Sequence, residues 1–187
     1  MKYLLLAGVC ACLTQTAQAD IRIQMAEIAP GSSVTYLVSD GTRRTHHFEG
    51  EQDGVYVVTY WNGRGKGLDG GLYGTARYDS DGRMLSLTRP GGKVTTYTPH
   101  NCFRVVGECR YTAKNEKGRV WQYGRRITET ETGFTFENFR LTATGQEAFV
   151  TKGAVTLDEM GMMDELTLER SADAKLSAMT QERADYR

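Results

Sequence analysis

"YDSDGRMLSLTRPGGKVTTY" spans Tyr78 to Tyr97. Its reading decides the fold. Asp79 stands at the first position of a tight reversal and Gly82 at the fourth, the residue chemistry of a type I turn joining adjacent strands. In short hairpins of this kind the glycine takes the left-handed conformation that closes the turn. The same Asp/Asn-x-x-Gly theme returns in "NEKGRV" at Asn115 and "DEMGMM" at Asp158. The stretch is therefore read as a hairpin, one of several in an antiparallel chain.

Tyr78-Asp79-x-x-Gly82-Arg83, followed by Gly92 and Tyr97, also resembles one YD repeat of the RHS family of large secreted shells. That resemblance covers only these twenty residues, and Pro99-His100 stands where the next Tyr-Asp would begin. Such units bury surface only by stacking many times, so a single one implies no shell. A longer match joins "YDSDGRMLSLT" to "LDEMGMMDELT", with a Met and a Leu-Thr in register. Two origins stay open for it: shared turn and strand preference, or an echo of two related half-sheets.

Working outward, alternation with period two dominates. Val34, Tyr36 and Val38 share one face, with Thr35 and Leu37 on the other. Val55, Val57, Thr59 and Trp61 alternate with Tyr56, Val58 and Tyr60. "KVTTYT", "CFRVV", "RVWQYG", "GFTFENFRL", "EAFVTKGAVTL" and "DELTLER" are further short runs, rich in β-branched and aromatic residues. This pattern predicts an all-β domain built on a single curved antiparallel sheet, half-barrel or barrel-like. In "GFTFENFRL", Phe134 and Phe136 have one parity and Phe139 and Leu141 the other, which predicts a β-bulge near Glu137-Asn138. The tail differs. Ala172, Leu176 and Met179 fall at helical spacing behind a Ser171 cap, predicting a short helix over 172–183 or a disordered tail over 171–187. With three prolines and no Pro- or Ser-rich linker, residues 20–170 read as one β domain.

The first nineteen residues read as a cleaved signal peptide. Lys2 is followed by an apolar run from Tyr3 to Leu13 and by Ala17-Gln18-Ala19, a small-x-small cleavage site. The run is too short for the roughly 20 residues that span a bilayer. The expectation is a periplasmic or secreted protein beginning at Asp20, with no transmembrane segment. The alternative is lipoprotein anchoring at Cys12, since Val9-Cys10-Ala11-Cys12 loosely resembles a lipoprotein box. Loss of the signal leaves Cys102 and Cys109, and two cysteines in an exported chain predict one disulfide.

Charge is balanced, with 23 basic and 23 acidic residues. That gives no electrostatic case for nucleic acid or an anionic membrane as partner. "GRGKGLDGG", residues 63–71, could present amides to an anion, but no Ser or Thr follows Lys66 and no helix is predicted, so no nucleotide motif is met. His46 and His47 are adjacent on a strand and must point to opposite faces, so they cannot readily share a metal, even with His100. No catalytic-serine motif is present, and the two cysteines consume each other. The expectation is no catalytic residues, no metal and no cofactor.

The aromatic residues are more suggestive. Tyr60, Trp61, Tyr73, Trp121, Tyr123, Phe134 and Phe136 fall on predicted strands. They either line a concavity that holds a hydrophobic small molecule or fill the core of a curved sheet. Two functions follow: a non-catalytic exported protein binding a hydrophobic ligand, or an envelope protein binding another protein through a sheet edge or face.

Overall fold

The computed structural model describes residues 21, 23–63, 71–159, 161–172 and 175–186. The expected signal peptide and its cleavage and lipidation sites lie outside the described residues, as does 64–70 of the glycine-rich stretch. Twelve antiparallel strands follow one another in chain order: β1 (Ser33–Val38), β2 (Arg43–Gln52), β3 (Val55–Gly63), β4 (Gly71–Tyr78), β5 (Met84–Arg89), β6 (Lys93–Thr98), β7 (Gly107–Asn115), β8 (Val120–Thr130), β9 (Gly133–Leu141), β10 (Glu147–Leu157), β11 (Met163–Ala172) and β12 (Lys175–Tyr186). Each pairs with its neighbours in sequence, and β12 pairs with β1, so the sheet closes into a barrel.

The opening stretch contains two hairpins, β4–β5 and β5–β6. In the first turn the Asp79 carboxylate accepts hydrogen bonds from the Asp81 and Arg83 amides at 3.0 and 2.8 Å. Gly82 sits at φ +73°, a conformation open to glycine at little cost. The Asn115 amide oxygen makes the equivalent bonds to the Lys117 and Arg119 amides, and Asp158 accepts from Met162. The β1–β2 and β9–β10 turns close with the same backbone pattern at Gly41 and Gly145.

These turns are arranged around the ring in a revealing way. The β4–β5 and β10–β11 turns, whose sequences match, lie six strands apart, half of the barrel's circumference. So do the β1–β2 and β7–β8 turns. Two non-strand segments, 23–32 before β1 and 99–106 before β7, are likewise half a ring apart, and both enter the barrel. Met25, Ile28, Cys102 and Arg104 on them are buried, and the Ile21 amide donates to the Arg104 carbonyl at 2.9 Å. The barrel is thus two similar halves, each an inward segment followed by six strands.

Three expectations need correcting. The segment expected to be helical or disordered over 172–183 is strand, and β12 pairs with β11 and β1. Helical propensity differs by only a few tenths of a kcal/mol per residue for such side chains. An absent β12 would leave two long rows of unpaired backbone groups on β1 and β11, a greater cost than any lost helical preference. Second, "CFRVV" is not a strand but the inward segment between β6 and β7. The disulfide joining Cys102 to Cys109 at the start of β7, with Cα atoms 5.7 Å apart, holds it against the wall. Third, β9 has no bulge near Glu137-Asn138: its register with β8 is unbroken, and the shift lies on β10 between Phe149 and Thr151. Phe139 therefore does face outward. It is only 3% exposed, because its ring lies over Gly124 on β8, where a Cβ would come within 2.2 Å of the ring. The Arg126 guanidinium covers the other side at 4.4 Å. A glycine on one strand and an aromatic ring on the next compensate each other.

Candidate functional site

Alternation sends Tyr36, Arg44, His46, Phe48, Val58, Tyr60 and Tyr78 into the barrel, where cross-strand pairing places His46 opposite Tyr60 and Tyr56 opposite Tyr78. They surround a cavity of about 280 Å³. Its floor and far wall come from Ile23 and Met25 on the first inward segment, Asn101, Phe103 and Arg104 on the second, and Met84, Met162, Met163 and Leu166 from the two matching hairpins. Most of this lining is apolar, and four flexible methionines adapt readily to an irregular occupant. The volume is near the lower end of the roughly 300–1,000 Å³ of small-molecule sites.

A few polar groups converge on it. The Tyr60 and Tyr78 hydroxyls hydrogen-bond to each other. Burial raises both phenol pKa values, with Tyr78 adding to the shift of Tyr60, so both remain protonated. His46 lies between Tyr36 and Tyr60, with ring centroids at 4.9 and 4.5 Å. It is deep in the barrel yet only half-buried, because the cavity reaches it. Desolvation, then the charge of Arg44, pushes its pKa down to about 3, keeping it neutral. Arg104 is 7% exposed and donates to the Gly161 carbonyl at 2.8 Å. Burial lowers its pKa to about 10, partly opposed by Tyr78, and it stays cationic at neutral pH. The Oδ1 of Asn101 is buried with no hydrogen-bond partner.

A second buried cluster stands beside the cavity. Ile127, Phe134, Phe136, Val155 and Leu166 form a core closed by Ile21, Phe103 and Val106. Arg125 lies between the rings of Phe103 and Phe136, 4.6 and 4.9 Å from their centroids, and donates through Nε to Asn138. Asn138 in turn donates to Thr151 at 2.6 Å. Flat guanidinium faces tolerate such stacking, which repays part of the cost of burial.

Of the seven aromatic residues singled out from sequence, only Tyr60 lines the cavity. Phe134 and Phe136 fill the second core. Tyr123 stacks on Tyr111 at 5.6 Å, Trp121 lies under Arg119, and Trp61 donates to Thr59 on the outer face. Tyr73 is the extra residue of a bulge on β4 and is 46% exposed, with Arg89 over its ring. Sequence reasoning missed Asn101 and Arg104 because "CFRVV" looked like a strand. It could have found Met84 and Met163, which occupy the same position of the two matching hairpins. His46 and His47 do point to opposite faces: His47 bonds Ser33 at 2.7 Å on the outside. His100 bonds the Asn101 carbonyl, and among the described residues no group of three His, Cys, Asp or Glu could hold a metal.

A larger hollow, about 570 Å³, lies on the outer wall between Arg126, Glu137, Lys152 and Glu169. Its cations are engaged within the wall: Arg126 pairs with Glu147 at 2.6 Å and Lys152 with Glu169 at 3.2 Å. This charged ladder suits water rather than acyl chains, which an outward apolar band would serve. Among the described residues no helix is long and apolar enough to cross a membrane. No protein-family model, curated protein or solved structure matches the chain. The fold and the cavity are the grounds for a function.

Proposed function

We propose that this is a non-catalytic, exported β-barrel protein that binds a small hydrophobic ligand inside the barrel. The observation that carries the reading is the hollow itself: beside the core built on Phe134 and Phe136, the interior keeps an apolar cavity with a few convergent polar groups. An interior with no ligand to hold would gain by filling that space, since buried voids forfeit packing energy. The rival reading, a partner protein docked on a sheet edge, has less to work with, because among the described residues each strand has a paired neighbour on both sides. An outer face remains for it, but there Arg126 and Lys152 are already paired with carboxylates of the same wall. Native mass spectrometry of gently purified protein tests the choice. A co-purifying small hydrophobic mass is the expected result, and a stoichiometric protein partner with no small mass would overturn it.

A further inference from the structure

The two ends of the barrel differ. Strands alternate in direction, so the inward segments before β1 and β7 lie at the same end as the β4–β5 and β10–β11 turns. Met25, Ile28 and Cys102 are buried there, and Ile23 packs so closely on Gly82 that a Cβ would meet its side chain at 3.1 Å. That end is plugged. Among the described residues no segment turns inward at the other end.

Register shows what the inner wall carries at that second end. Leu87 is buried inside, so Arg89, two residues on, faces the same way, and Lys93 stands directly opposite it across the β5–β6 hairpin. Further round, Arg140 pairs with Tyr123 and also faces inward. All three cations are exposed, and among the described residues none of them forms an ion pair. Arg89 lies over the Tyr73 ring at 5.9 Å. No carboxylate of β1 to β10 shares this part of the wall. Glu49, Glu108, Glu137 and Glu147 stand outside, while Glu51 and Glu129 are at the plugged end. Like charges directly opposite on adjacent strands are destabilising, so Arg89 and Lys93 repel until an anion lies between them. Tyr97 stands between this rim and the cavity. Burial pushes its pKa up to about 12, with Tyr78 of the cavity wall adding to the shift and Arg89 of the rim opposing it.

Resting on the ligand-binding reading above, we infer that the occupant is a single-chain anionic amphiphile that enters through the open end, its headgroup between Arg89 and Lys93 and its tail passing Tyr97 into the apolar cavity. Only a molecule with both parts meets both surfaces.

Isothermal titration of the purified protein with lauroyl lysophosphatidylglycerol, lauroyl lysophosphatidylcholine and glycerol 3-phosphate, below micelle-forming concentrations, tests this. The first lipid should bind about three- to thirtyfold more tightly than the second, whose choline offsets its phosphate; that is the range for two exposed ion pairs together. The advantage should shrink in about 1 M salt, where screening is nearly complete beyond ~3 Å. Glycerol 3-phosphate should not bind measurably. Arg89→Gln with Lys93→Gln should bring the two lipids level and leave the affinity for the choline lipid unchanged. If that variant fails to fold by circular dichroism, the salt dependence of the unmodified protein decides. Equal binding of the two lipids would overturn the inference and leave the ligand reading intact. So would a preference that survives the double substitution, or glycerol 3-phosphate binding as tightly as the anionic lipid. Binding of neither lipid would sink the ligand reading itself.

Discussion

The two halves of the barrel solve the same geometric problem in different ways. Each has an inward segment, six strands and matching turns, yet the two buried arginines, Arg104 and Arg125, both stand in the second half and meet different surroundings. In the second half Arg125 is sandwiched between Phe103 and Phe136 and bonded to Asn138, so the guanidinium acts as part of the packing. Arg104, on the inward segment of that same half, instead borders a hollow whose walls include His46, Tyr60 and Tyr78 of the first half. The difference teaches that burial of a charge does not by itself mark a site. What separates a packing arginine from a binding one is whether its neighbours fill the space around it.

The contrast can be broken most directly at the arginines. Arg125→Ala removes a filled side chain and strips the Asn138 acceptor of its donor, so it should cost about 3–5 kcal/mol in chemical denaturation. Arg104→Ala should cost less than half of that, because its side chain already faces open space. Equal losses would mean that the two surroundings are packed alike.

Removing the disulfide by Cys102→Ser with Cys109→Ser tests whether the second inward segment is held by its tether or by its contacts. The chain-entropy model gives about 2.5 kcal/mol for so short a loop. Ligand affinity should fall as well, since Asn101 and Arg104 lie on the freed segment. An unchanged affinity would show that contacts with Gly161 and Phe103 suffice.

An effect that vanishes at neutral pH belongs to the open half alone. The folded pKa of His46, about 3, lies below its ordinary 6.5. Between those values the unfolded chain takes up a proton that the folded chain refuses, so this residue makes stability fall as pH drops from about 6.5 toward 3. Above 6.5 the histidine is neutral in both states and the effect vanishes. The slope is at most about 1.4 kcal/mol per pH unit, since one group is involved. His46→Phe should remove that part of the acid slope in thermal melts recorded from pH 7 to 4. A variant as acid-sensitive as the parent would show that His46 takes up its proton freely in the folded cavity.

Much of this architecture was legible in the chain. Alternation grouped Tyr36 with Val34 and Val38 on one face of its strand and Val58 with Tyr56 and Tyr60 on one face of theirs, and the Asp79, Asn115 and Asp158 turns were recognisable from local chemistry. Even the second parity in "GFTFENFRL" was a true signal, misread only because an outward phenylalanine seemed to need repair by a bulge. These features depend on neighbours two to four residues away, which a sequence displays.

What only the tertiary structure decided is what depends on partners far along the chain. The tail became a strand because β1 and β11 both needed one, a demand invisible within residues 171–187. "CFRVV" turned inward because a closed twelve-stranded ring has an interior to fill. Asn101 and Arg104 acquired their meaning in the same way, from a cavity whose opposite wall is built by residues 162, 163 and 166. Strand, turn and disulfide were written locally in hydrogen-bonding and side-chain periodicity. Which faces meet, and which space between them stays open, was set by closure of the ring, where long-range pairing outweighs local preference.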